Sequence, residues 1–160
     1  MGSRATLILS VCLFVLAHSA AALQTGCAPD QVTVKGSFGE ARFTVAVADD
    51  DAERAQGLMH VEQMARSAGM LFVFDPPRTV AFWMKNTLIP LDMIFTDRAG
   101  RIRHIHENAV PLDETPIPGG DDIYAVLEIN GGLAGLFGMQ VGDALRHPAF
   151  TGGPAALPCE

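Results

Sequence analysis

Lys85, Asp92 and Glu128 are charges set in the most apolar stretches of the chain, and Trp83 and Asn86 stand beside the first of them. A charge buried alone is costly, so each needs a partner or a task. Lys85 and Asp92 flank the connection Asn86-Thr87-Leu88-Ile89-Pro90, and if the strands on either side pair as a hairpin, ammonium and carboxylate approach each other. Trp83 lies two residues before Lys85, so along a continuous strand both point to one face. Glu128, between Leu127 and Ile129, adds a second carboxyl to the candidates. Convergence of these groups gives one of two things: a small polar pocket with an aromatic wall, the usual anatomy of a ligand site, or a silent buried ion pair. In the pocket, Lys85 supplies charge, Asn86 orientation and Trp83 a stacking face. An enzyme would instead use Asp92 or Glu128 as general base, with Lys85 stabilising developing negative charge, as in hydrolysis of a cell-envelope sugar or ester.

Other chemistries have weaker footing. His104 and His106 alternate along one strand, which puts both imidazoles on one face as in metal-binding barrels. No third ligand is fixed, and an exposed histidine pair on a hairpin is the commoner case. Met59, Met64, Met70, Met84, Met93 and Met139 offer thioethers that suit Cu(I), or fill core gaps as methionines usually do. Copper or zinc binding is therefore an alternative, with no metal ligand assigned and no cofactor expected. Past the N-terminal segment the only serines are Ser37 and Ser67, with no G-x-S-x-G elbow, which argues against a serine hydrolase. The glycines from Gly131 to Gly142 lack the Lys-Ser/Thr of a phosphate loop. A helix starting at Asn130 could hold an anion or simply pack closely on the sheet through its glycines.

The elements that must position these residues read as mostly β. Val32 and Val34, then Phe43, Val45 and Val47, alternate as short strands. Asp49, Asp50 and Asp51 open a short helix that Gly57 stops. Gly69–Phe74 and Thr79–Met84 read as two core strands separated by Asp75-Pro76-Pro77-Arg78, a stretch that interrupts a ladder. Leu91–Thr96 and Arg101–Glu107 flank Asp97-Arg98-Ala99-Gly100, a hairpin turn whose glycine suits a positive φ. Asn108–Asp122, rich in proline and glycine, reads as a long surface loop. A strand at Ile123–Ile129, a helix capped by Asn130 and running through Phe137, and a last strand at Ala144–His147 complete the series. The expected fold is a small antiparallel barrel or sandwich of about seven strands with two short helices.

The ends of the chain speak to location. Arg4 precedes an uncharged apolar run from Ala5 to Ala17, and Ala20 and Ala22 form a small-residue cleavage site, the grammar of a signal peptide over residues 1–22. A segment at 23–37, a single β-rich domain at 38–150 and an irregular tail at 151–160 follow. The expected address is periplasmic or secreted, with no membrane-spanning segment left after cleavage. Cys27 and Cys159 then remain as a pair that an oxidising compartment favours joining. Leu23-Gln24-Thr25-Gly26-Cys27 also looks like an imperfect lipoprotein box, and both thiols could be free. The net charge of −7 opposes phosphate backbones and argues against nucleic acid as a partner. Nothing in the chain identifies a protein partner.

Gly57-Leu58-Met59, Gly69-Met70-Leu71-Phe72, Phe82-Trp83-Met84-Lys85-Asn86-Thr87, Pro90-Leu91-Asp92, Val126-Leu127-Glu128 and Gly142-Asp143 fall in the order and approximate spacing of a known family. Together they resemble the uncharacterised family called domain of unknown function 192, over about residues 38 to 147. The resemblance implies a small, mostly β domain and supplies no activity or cofactor. It singles out Trp83, Lys85, Asn86, Asp92 and Glu128, the residues chosen above on burial grounds. Val61 stands where the family often has an arginine, and His104 and His106 fall outside the family pattern. The leading expectation is a periplasmic small-ligand-binding or accessory module for a small polar or anionic ligand.

Overall fold

The structure, a computed structural model, describes residues 26–159. The expected signal peptide lies outside them. Strict alternation makes β2 (Gly39–Ala48), whose Ala41, Phe43 and Val45 are buried while Arg42, Thr44 and Ala46 face water. β1 (Gln31–Gly36), within the segment set apart at 23–37, hairpins onto it and carries Val32 and Val34 into the same core. The carboxylate of Asp50 caps α1 (Asp51–Gln56) by accepting the Glu53 N–H at 2.8 Å, and Gly57 ends it at φ 49°. Acidic start and glycine stop act as expected.

β3 (Ala68–Phe82) is one long strand where two were expected. Its pairing with β6 (Ile117–Asn130) slips between Val73 and Arg78, so the prolines sit in an irregularity where no ladder hydrogen bond is asked of them. β6 is correspondingly long and takes up Ile117–Asp122, six of the fifteen residues that read as loop in the sequence. β4 (Leu91–Thr96), β5 (Ile102–Ala109), α2 (Leu133–Phe137) and β7 (Ala144–Arg146) follow, with a 3₁₀ turn at Pro148–Gly152.

The seven strands form one sheet in the order β5-β4-β6-β3-β2-β1-β7. Neighbours are antiparallel except β2 and β3, which run parallel through the α1 crossover. The sheet curls into a half-barrel whose edge strands meet at one end. There the Ile102 N–H donates to the Asp143 carbonyl and the Leu145 N–H to the Gly100 carbonyl, each at 2.8 Å. Inside the curl, side chains from all seven strands make one core, from Val34 and Phe43 through Leu71, Ile94, Ile102 and Leu127 to Leu145. Outside it, Phe72, Met84, Met93, Phe95 and Val126 make a second core beneath the connections that follow α1 and β3. β4 is buried at every position because both of its faces are covered.

Cys27 and Cys159 are joined by a disulfide across 132 residues. The sulfur that a lipid anchor would need is therefore bonded to Cys159. Among the described residues no helix is long and apolar enough to cross a membrane.

Candidate functional site

A hollow of about 170 Å³ opens from the outer face of the sheet, lined by Phe72, Phe74, Phe82, Trp83, Lys85 and Glu128 among others. β3 supplies the phenylalanines, whose rings meet edge to face, with Phe72 and Phe82 centred 5.1 Å apart. The chain leaving β3 carries Trp83, Lys85 and Thr87 to the rim. The opposite wall is the end of α1 with Gly57, Leu58 and Met59. The turn at Asn86 ties the two walls together. Its carbonyl accepts the His60 N–H at 2.8 Å, and its amide lies 3.8 Å from the Met59 sulfur. Asn86 adopts φ 54°, a conformation asparagine tolerates better than most residues.

Glu128 forms the base. Its neighbours on the same face are Met70 of β3 and Met93 of β4, neither of which can stabilise a charge. It is only 4% exposed; no hydrogen bond or ion pair reaches its carboxyl among the described residues, and its oxygens keep a little contact with the solvent of the hollow. Loss of hydration pushes its pKa up to about 8, so at neutral pH it is mostly a neutral acid able to donate a hydrogen bond. Gly69 fixes how close β3 comes to this point. A Cβ there would fall 2.4 Å from the Glu128 backbone carbonyl, which leaves room for glycine alone.

The cations at the mouth differ. The Lys85 ammonium lies 5.1 Å from the centre of the Trp83 ring, and no carboxylate is within ion-pair reach of it among the described residues. Arg54 is already engaged: it donates to the Asp49 and Val73 carbonyls, pairs with Asp51 at 2.6 Å and rests over the Phe74 ring. Arg78, which also rests over the Phe74 ring, has no ion pair either among the described residues but does not line the hollow; Lys85 is the lining cation left with an unmet charge.

Asp92 is elsewhere. It pairs across β4 and β6 with Ile129, whereas Glu128 pairs with Met93, so the two carboxyls point to opposite faces of the sheet. The expected approach of Lys85 and Asp92 does not occur, because β6 lies between β3 and β4 and no hairpin joins them. Asp92 is fully buried and accepts three backbone N–H groups, those of Asn108 and Gly132 at 2.8 Å and of Ala134 at 2.7 Å. It caps α2 from across the sheet. The expected cap, Asn130, instead donates its amide to the Ala65 carbonyl at 3.0 Å, and α2 begins only at Leu133. An anion does sit at that helix start, and the chain supplies it.

The imidazole of His104 stacks on Phe95 with ring centres 5.5 Å apart. His106 is half-buried opposite Met93. Among the described residues no group of three or more His, Cys, Asp or Glu side chains is placed to hold a metal ion.

Residues 31–147 match the model of a family described as Uncharacterized ACR, or DUF192. The chain belongs to the DUF192 family. Two solved structures share the fold. A protein of unknown function from Novosphingobium aromaticivorans is 46% identical, with a TM-score of 0.71 over 72% of this chain and 83% of its own. A proposed transcription regulator from Sinorhizobium meliloti is 42% identical, with a TM-score of 0.73 over 78% of this chain and 97% of its own. Among curated proteins none matches this chain.

In this DUF192 domain, sequence reasoning misses the aromatic wall of Phe72, Phe74 and Phe82, which reads from the sequence as ordinary core. The available signal is the density of rings on one strand, more than a single buried face usually takes. A second hollow, of about 530 Å³, lies beside Tyr124, His147 and Asp75. Three of its polar groups already have partners: the Tyr124 hydroxyl donates to the Ala149 carbonyl, His147 bonds the Pro29 carbonyl, and Asp75 pairs with Arg98, while the exposed Asp49 carboxylate on the same wall has none among the described residues. The hollow over Glu128 is distinguished by holding a buried acid and a cation, both without a polar protein partner among the described residues.

Proposed function

We propose that this DUF192 domain is an exported small-ligand-binding module, and that its ligand lies in the hollow between Trp83, Lys85 and Glu128. An apolar body packs on Phe72, Phe74 and Phe82, an anionic group meets the Lys85 ammonium, and the Trp83 ring covers the exposed side. One observation carries this reading: an aromatic ring, an unpaired cation and an unpartnered acid line a single solvent-reaching hollow. Neither the Glu128 carboxyl nor the Lys85 ammonium has a polar protein partner among the described residues, and both still reach the solvent of the hollow, where a ligand's polar groups can replace water. Export is supported by the signal-peptide grammar of residues 1–22 and by a disulfide that an oxidising compartment maintains. Asp92 serves the fold, and Asn86 shapes the rim.

The hydrolase alternative loses Asp92, which faces the other side of the sheet, and rests on Glu128 and Lys85 alone. The Sinorhizobium relative is described as a proposed transcription regulator; a direct role on DNA sits poorly with this chain's net charge of −7.

Trp83 is the only tryptophan, so intrinsic fluorescence reads the site directly. Titrating the disulfide-bonded protein with small carboxylates and polar envelope metabolites should give a saturable Trp83 response, weakened tenfold or more in Lys85→Ala. A panel that leaves Trp83 unchanged, or binding indifferent to Lys85→Ala, contradicts the reading.

A further inference from the structure

We propose that the ligand is a small zwitterion, its ammonium group meeting Glu128 at the base and its carboxylate meeting Lys85 at the mouth. This rests on the hollow being a ligand site. The base holds a carboxyl that nothing in the described chain satisfies, and the strands on either side present only Met70 and Met93 to it. The mouth holds an ammonium with no anion. Between them lies a ring-lined wall that accepts apolar atoms and, through its π faces, tolerates cations. The chain shows this itself by resting Lys85 on Trp83 and Arg54 on Phe74. A ligand with only a carboxylate leaves the deepest acid with an apolar neighbour. A ligand with only an amine brings a cation past Lys85 with nothing to offset it. A molecule with both groups, such as an α-amino acid with an aliphatic or aromatic side chain, answers both ends.

Proton linkage distinguishes this from simple anion binding. Glu128 must ionise to pair with an ammonium group, so binding releases its proton, and affinity rises with pH up to the value at which the empty site ionises, then levels. The other charged groups nearby are Arg54 on α1, held by Asp51, Arg78 of β3 over the Phe74 ring, and Lys85 at the rim. His106 lies two strands away behind Met93.

The test uses Trp83 fluorescence with three matched probes: L-leucine, 4-methylpentanoate lacking the amine, and isopentylamine lacking the carboxylate. The same set is repeated with L-phenylalanine, 3-phenylpropanoate and 2-phenylethylamine. For at least one set the amino acid should bind tenfold or more tighter than either truncated probe at pH 7, and its affinity should rise about tenfold from pH 6 to 7. Glu128→Gln should bring amino acid and carboxylate to within about twofold and abolish the pH dependence. Carboxylates that bind as tightly as their amino acids, with dependence on Lys85, overturn the zwitterion and leave the anion site standing. No response from any probe in either set overturns the zwitterion, and the wider metabolite panel then decides whether the site itself stands.

Discussion

Asp92→Ala should be among the most damaging single substitutions in this domain. Three backbone N–H groups converge on the carboxylate from two separate places, the end of β5 and the start of α2. The Ala134 donor is fully buried, and stranding a donor of that kind costs about 1 to 3 kcal/mol. The Asn108 and Gly132 donors are part-buried, and with partial access to water each loses about 1 kcal/mol. With the void left in the inner core, the expected loss is about 4 kcal/mol, a large share of the stability of a small domain. Asp92→Asn keeps the shape and one oxygen for the Asn108 and Gly132 donors, but turns an NH₂ toward the Ala134 N–H. Its loss should be smaller, about 2 to 3 kcal/mol. Equilibrium urea unfolding at pH 7, followed by Trp83 fluorescence and far-ultraviolet circular dichroism, measures both. Hydrogen exchange should show the Gly132 and Ala134 amides losing protection before the β-sheet does. A loss below about 1 kcal/mol for Asp92→Ala refutes the capping argument, as does an Asp92→Asn variant less stable than Asp92→Ala. If Asp92 works on a ligand instead, Asp92→Asn will alter the Trp83 response while leaving stability alone.

Glu128 should make the protein lose stability with rising pH. Its folded pKa is raised, so between about 4.5 and 8 the folded chain holds one proton more than the unfolded chain, and stability falls by about 1.4 kcal/mol per pH unit across that window. Glu128→Gln removes this slope, and urea unfolding at pH 7 should find the variant more stable by roughly 2 to 3 kcal/mol, with the difference vanishing near pH 4. Reducing the Cys27–Cys159 disulfide frees a loop spanning 132 residues, and chain entropy sets the cost at about 5 kcal/mol, readable as a lower urea midpoint. Gly69→Ala must push β3 off the Glu128 carbonyl and should cost about 2 kcal/mol or more, with a perturbed Trp83 spectrum as the sign that the hollow has shifted.

Local chemistry was legible in the sequence where the signal is local. The acidic start and Gly57 stop of α1, the turn ending in Gly100 at φ 78°, and the alternation of β2 are each decided by neighbouring residues. Pairing between distant strands was not. Lys85 and Asp92 look like facing residues across a hairpin until β6, which comes later in the chain, inserts between their strands. Whether Asp92 and Glu128 share a face depends on the register of β4 against β6, and a one-residue change in that register reverses the answer. The prolines at 76 and 77 signal an interruption correctly, but a strand can absorb one as a register slip without ending. Burial reasoning therefore finds residues under constraint without separating those a ligand completes from those the backbone completes. Asp92 is of the second kind; the proposed site takes Glu128 to be of the first.

The account stands on Glu128 being an idle acid at the floor of an open hollow. A carbon-13 NMR titration of the glutamate side-chain carboxyls from pH 3 to pH 10, with Glu128→Gln for assignment, measures that directly. One glutamate resonance should titrate near 8 and disappear in the variant. A Glu128 that titrates in the ordinary range near 4.5 would mean that its carboxyl is hydrated or already partnered, and the site built on it would have no base.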